Sequence, residues 1–212
     1  TVKITTAAAC LLVASCGLFS EDKIKLDGER ISVLDTDTKL RPDYRPGAFK
    51  VVLPRPHTNK SWSQSGGNSV HRMEHLQTGS QLQGFWESSF GTGNSGRDFL
   101  ISEPIIAYKV AFAIDADATV SAYRLDSGER IWKQRLKPLV KEDKSTALKG
   151  VGLAEYKRKI YATTGFGGVF ALDMTTGKKV WFYNAEMPIR IAPTVANDKV
   201  LIQTIDNTLI AL

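Results

Sequence analysis

At 212 residues the chain is long enough for one or two ordinary domains. A hydrophobic fraction of 42% and a charged fraction of 24% are those of a folded globular chain, which excludes a disordered or low-complexity protein. The net charge of +6 is scattered over loops and strand ends with no ribbon of Lys and Arg interleaved with aromatics, so nucleic acid is not an expected partner; the charge suits mild attraction to acidic surfaces such as anionic lipid.

The sequence opens on Thr1 rather than Met, as a chain read from inside a reading frame does. Lys3 precedes a short apolar stretch, Ile4 to Val13, far below the roughly 20 residues of a membrane-spanning helix. The stretch runs into Val13-Ala14-Ser15-Cys16. Small residues ahead of a cysteine resemble a bacterial lipobox: small side chains fit the peptidase groove and the thiolate accepts a diacylglycerol. Residues 1–15 are therefore expected to be a lipoprotein signal peptide, with Cys16 lipidated. Gly17 in place of Asp is compatible with sorting to an outer membrane. The competing reading is a plain secretory signal with an incidental cysteine. Cys10 lies within the apolar stretch and leaves with it, so Cys16 remains alone; a lone cysteine in an exported chain needs an explanation, and lipidation supplies one. Residues 16–47 are charged, contain proline and lack sustained periodicity, which predicts a flexible tether.

A body of residues 48–212 follows. His71 and His75 stand at i and i+4 with Glu74 beside His75, but Arg72 occupies the position where the zinc-protease order requires Glu, and no third ligand is evident; no metal site is expected. Gly91-Thr-Gly-Asn-Ser-Gly96 lacks the Lys-Ser/Thr and the following helix of a phosphate loop and reads as a surface loop.

The remaining sequence repeats. Val120-Ser-Ala-Tyr-Arg-Leu-Asp-Ser-Gly-Glu-Arg-Ile-Trp132 aligns with Val169-Phe-Ala-Leu-Asp-Met-Thr-Thr-Gly-Lys-Lys-Val-Trp181. Gly128 matches Gly177 and Trp132 matches Trp181 at an offset of 49, while Asp126 and Asp173 slip relative to their glycines. Thr208–Leu212 begins a third copy 40 residues after the second, and removing a polar insert near 138–149 gives the first interval a similar period. In each copy a strand enters a tight turn where Asp and Ser/Thr bond the backbone and Gly takes positive φ. The next strand carries a Trp that buries on the order of 200 Å² between neighbouring sheets. Two further strands precede each copy, as in Pro104–Ala107 with Val110–Ile114. Four strands per unit predict an all-β fold of four-stranded antiparallel propeller blades, at about 103–135 and 150–184, with a partial blade at 190–212. Trp86 marks residues 81–90 as a closing strand. Two blades, part of a third and a closing strand leave the ring open, so the propeller is expected to continue past Leu212.

These residues resemble the PQQ-type propeller repeat family, named for the pyrroloquinoline quinone (PQQ) of its enzyme members. They look most like its alphaproteobacterial BamB lipoproteins, on the lipobox at Cys16, Lys25–Leu34, Trp62-Ser-Gln-Ser-Gly-Gly-Asn68 with His71 and His75, and Ala116–Tyr123. The resemblance implies an eight-bladed, non-enzymatic propeller on the periplasmic face of the outer membrane, without cofactor or metal. It implies binding to BamA and delivery of unfolded barrel proteins. It also implies a partner loop ahead of the Ala-Pro that opens a blade, here Glu186–Pro193, with Ile189, Arg190 and, more loosely, Met187 as contact residues. The competing class is a PQQ-dependent dehydrogenase. Such enzymes carry adjacent cysteines and a calcium-binding group of Glu, Asn and Asp; here no cysteine pair follows residue 16, and Asp126 and Asp173 sit in turn motifs.

Overall fold

The computed structural model describes residues 52–81, 83–93, 102–137 and 151–212, together with 45, 47 and 50. Cys10, Cys16, nearly all of the expected tether, Gly96 and the insert near 138–149 lie outside the described residues. The chain divides into two units, Thr1–Val51 and Val52–Leu212, and every described strand belongs to the second.

Eleven strands and no helix are found among the described residues. β1 (Ile105–Ala107), β2 (Val110–Ile114), β3 (Thr119–Arg124) and β4 (Arg130–Arg135) form one four-stranded antiparallel meander. β5 (Val151–Tyr156), β6 (Lys159–Thr164), β7 (Gly168–Asp173) and β8 (Lys179–Asn184) form a second. β9 (Thr194–Ala196), β10 (Lys199–Gln203) and β11 (Leu209–Ala211) form a three-stranded sheet. These are propeller blades, the fold expected from the repeat. The second blade copies the first down to its register slip, between Ala122 and Tyr123 in one and between Ala171 and Leu172 in the other.

Strand alternation explains why the inner strands are apolar on both sides. Successive residues of a strand face opposite ways. In the second blade Leu153, Ile160, Ala162, Phe170 and Leu172 join a core with Ile105, Phe112, Ile114 and Val120 of the first. Their neighbours Ala154, Tyr161, Val169 and Ala171 turn the other way, into a core with Val195, Val200 and Ile202 of the third. Both cores therefore lie between blades, and each fully buried Leu, Ile, Val or Phe contributes roughly 1.5–3 kcal/mol of transfer free energy. Among the described residues the outer strands β4 and β8 have no further neighbour, and most of their residues are exposed.

The motif tryptophans join blade to blade. Trp132 donates its Nε1–H to Met174 O at 3.0 Å, and a Cβ at Gly177 would lie 2.5 Å from Trp132 Cε3. Both motif glycines have positive φ, 72° at Gly128 and 71° at Gly177, where only glycine is unstrained. Trp86 repeats the arrangement one blade earlier, donating to Leu125 O at 2.9 Å with its ring on Gly128. Residues 83–90 nevertheless form no strand, which corrects the expected closing strand. A strand needs a ladder partner, and the described residues offer none; the segment is held by Trp86 and by Tyr123 Oη donating to Ser89 O at 3.0 Å.

Because strand direction alternates, the turns after the first and third strands of each blade emerge on one face, called lower here, and those after the second on the upper face. The turns after β1, β5 and β9 are each two residues long with both residues at positive φ: Tyr108–Lys109, Lys157–Arg158 and Asn197–Asp198. That is the type I′ geometry whose twist matches the flanking strands. These turns touch around the lower face: the Arg158 guanidinium lies 5.2 Å from the Tyr108 ring centroid, and Lys157 pairs with Asp198.

A further element runs along the inner edges. Trp62 exchanges both backbone hydrogen bonds with Ile106 of β1 at 2.7 and 2.8 Å. The next residue, Ser63, accepts from Glu155 N–H of β5 at 2.7 Å. The buried Gln64 side chain then acts as a peptide unit toward β9, donating to Val195 O at 2.7 Å and accepting from Val195 N–H at 2.9 Å. Three consecutive residues thus clip three blades together.

Candidate functional site

The loop between β8 and β9 crosses the upper face, and its backbone is pinned from beneath. Ala185 N–H donates to Gly167 O at 2.9 Å, Ile205 N–H donates to Pro188 O at 3.0 Å, and Thr163 Oγ1 donates to Ile191 O at 2.7 Å. Ile189 bridges Thr204. Gly152 allows Ala192 to press against β5, since a Cβ there would collide with the Ala192 backbone. The same loop displays side chains. Met187 is 38% exposed, Ile191 is 49% exposed, and Arg190 is exposed between them in sequence. Ile205, 46% exposed, stands on the adjoining β10–β11 turn. A rigid backbone carrying an apolar rim and one guanidinium suits protein docking, because little ordering entropy remains to be lost on binding.

The structure separates the three residues anticipated at this loop. Met187 and Arg190 face solvent, but Ile189 has no exposed surface and packs in the core between the second and third blades, so it is not a surface contact. The bridge to Thr204 turns its side chain inward. Ile191 and Ile205 were missed. Period-two alternation from a buried Ile189 would turn Ile191 inward as well, so its exposure is not readable from spacing, and Ile205 reaches the patch through the fold.

Other candidate groups have structural partners. His75 Nδ1 lies 2.8 Å from Pro54 O, and its backbone carbonyl accepts from His57 N–H, tying residues 54–57 to 75–77. Asp115 is buried, and its carboxylate accepts from the backbone N–H groups of Thr92, Asp117 and Thr119 at 3.2, 3.0 and 2.7 Å. Asp173 accepts from Thr175 N–H, Thr176 N–H and Thr176 Oγ1, the turn cap read from the motif. Its counterpart Asp126 pairs instead with Arg124 at 2.8 Å, because its slip toward the glycine takes it away from the cap position. Burial pushes the Glu155 carboxyl above its ordinary range, partly offset by the Arg158 N–H donating to it at 2.9 Å. Among the described residues, no three His, Cys, Asp or Glu side chains gather in a way that could hold a metal ion.

Residues 116–212 match the family model described as outer membrane protein assembly factor BamB. A protein of Rickettsia conorii, itself uncharacterised, is 33% identical over 119 residues, covering 55% of this chain and 27% of the relative. The outer membrane protein assembly factor BamB of Shewanella oneidensis is 27% identical over 128 residues, covering 58% of this chain and 32% of that protein. The crystal structure of quinohemoprotein alcohol dehydrogenase from Comamonas testosteroni superposes with a TM-score of 0.50 at 25% identity, over 67% of this chain and 23% of that one. The chain spans about a tenth to a third of the length of the curated relatives it matches. Blades of this kind occur in assembly factors and in quinoprotein dehydrogenases alike, and the chain is part of a β-propeller of that type.

Proposed function

We propose that the chain is part of a non-enzymatic lipoprotein scaffold of the outer membrane, anchored at the periplasmic face through Cys16. On this reading it binds BamA through the β8–β9 loop and assists the assembly of β-barrel outer membrane proteins, which it meets unfolded. The observation that carries it is the loop itself: a backbone pinned at several points presents Met187, Arg190 and Ile191 outward, within the region that matches the assembly-factor model. Capture of BamA by the complete protein tests the reading. Arg190→Glu, which reverses the one cation of the patch, is expected to abolish capture; equal capture by the variant removes the assigned surface.

The second reading, a quinoprotein dehydrogenase, is favoured by the superposition on the Comamonas enzyme. The described residues do not fit its quinone and calcium ion. Asp126 and Asp173 cap or flank lower-face turns, the Asp115 oxygens are taken by three backbone N–H groups, and Cys10 and Cys16 are not adjacent in the sequence, which has no cysteine after residue 16. Titration of PQQ with calcium against the complete protein separates the two, and saturable binding would favour the enzyme.

A further inference from the structure

We propose that the lower face of the blades is a docking surface for anionic phospholipid headgroups. This goes beyond the scaffold reading and does not depend on acylation of Cys16. The type I′ turns and the motif turns all emerge on this face, and their residues are cation-rich. Lys109, Arg158, Lys178 and Lys199 are exposed there, and Tyr108 is 57% exposed beside them. Arg124 and Lys157 are committed to Asp126 and Asp198. Among the described residues, Lys109, Lys178 and Lys199 have no carboxylate within ion-pair distance. The exposed Glu129 and the half-buried Asp173 also stand on this face, so four carboxylates, with Asp126 and Asp198, face the six cations Lys109, Arg124, Lys157, Arg158, Lys178 and Lys199, whereas on the upper face the exposed Glu186 and Asp206 accompany Arg190 and Lys137.

The arrangement selects among anionic partners. The three lysines stand in three different blades, Lys109 and Lys178 on turns and Lys199 at the start of β10 beside its turn. A nucleic acid needs cations along a track, with aromatics to stack its bases. A headgroup lattice is two-dimensional and accepts spread charge, each cation near the surface adding about 1 kcal/mol, or roughly a five-fold gain in partitioning. A half-exposed tyrosine at the rim is suited to the same interface.

The test uses the full chain produced in the cytoplasm, so that it is unacylated, sedimented with vesicles of phosphatidylcholine alone or mixed with phosphatidylglycerol. Binding is expected only to the mixed vesicles and is expected to weaken as salt is raised. The triple variant Lys109→Glu, Lys178→Glu, Lys199→Glu should partition about a hundred-fold less or weaker still, while Lys137→Glu at the upper end of the first blade should partition as the parent does. Urea midpoints of both variants, read alongside, show that the blades are intact. The proposal is overturned if the triple variant binds like the parent, or if binding is insensitive to salt. It is likewise overturned if double-stranded DNA at equal phosphate concentration displaces the chain from the vesicles.

Discussion

Trp132 reaches across a blade boundary to Met174, its indole Nε1 lying 3.0 Å from the Met174 carbonyl oxygen. The same ring lies flat enough against Gly177 that a methyl group there has no room. Phe112 packs on Trp132 from within its own blade at a centroid distance of 5.9 Å, and Tyr161 packs on Trp181 in the next blade at 5.8 Å. The motif is thus a two-part joint: a turn supplies the carbonyl and the vacancy, and the preceding blade supplies the ring. Neither half is useful inside one blade, which is why glycine and tryptophan recur at one spacing.

Gly177→Ala is therefore expected to destabilise the protein by about 2–4 kcal/mol, combining left-handed backbone strain with overpacking against the indole. Urea unfolding measures it. In the Trp132→Leu background the steric part should shrink, so that in a double-mutant cycle the double variant is destabilised by less than the sum of the two singles. Equal costs in both backgrounds would show that the ring does not press on the glycine.

This joint was legible in the sequence because its parts are local: Gly128 with Trp132 and Gly177 with Trp181 stand at fixed short spacing. The lower-face turns were less legible. Asn197–Asp198 has the residues of a type I′ turn, but Tyr108–Lys109 and Lys157–Arg158 take positive φ without glycine or asparagine, held by the ladders on either side. The clip at Trp62–Gln64 was read only as part of a resemblance, since its partners are far away in the chain. Gln64 and Val195 are 131 residues apart, a pairing no spacing rule reaches.

Replacing the clip carboxamide should loosen the third blade first. Gln64→Leu leaves Val195 N–H and C=O without their partners in a buried site, at a cost of about 1–3 kcal/mol. Hydrogen exchange would locate the effect, with faster exchange at Val195 N–H and through β9, and little change at Phe112 or Ala122 in the first blade. Uniform acceleration across all three sheets would instead mean that Gln64 supports the whole body, not one joint.

Glu155 sets a pH dependence of opposite sign to the turn aspartates. Burial holds its folded pKa above the ordinary 4.5, so the native state binds the proton more tightly than the unfolded chain. Its contribution to stability is greatest at low pH and falls as pH rises from about 4.5 through the raised folded value. For Asp173 the Thr176 hydroxyl bond lowers the folded pKa below 3.8, so its stabilisation is present above that value and is lost as pH falls through the lowered one. The two windows do not overlap. Glu155→Gln keeps an acceptor for Arg158 N–H and should flatten the decline above pH 4.5 without altering the acid limb. Chemical denaturation across this range decides it, and an unchanged slope in the variant would assign the decline to another group.

Ile189 and Arg190 are adjacent, yet their substitutions should fail in different assays. Ile189 is wholly buried between the second and third blades, so Ile189→Ala removes core volume and should cost about 2–5 kcal/mol in unfolding experiments. Arg190 is exposed, and Arg190→Ala should leave stability within about 0.5 kcal/mol while weakening BamA capture by the complete protein. Met187→Ser and Ile191→Ser, which remove exposed apolar surface from the same loop, should behave like Arg190→Ala. A valine at 189 separates folding from contact: Ile189→Val retains most of the core packing, at a cost of about 0.5–1.5 kcal/mol, and should capture BamA normally. If Ile189→Val loses capture while Arg190→Ala retains it, the loop must open on binding to expose its buried residue, and the pinned backbone that motivates the assignment is not the form a partner meets.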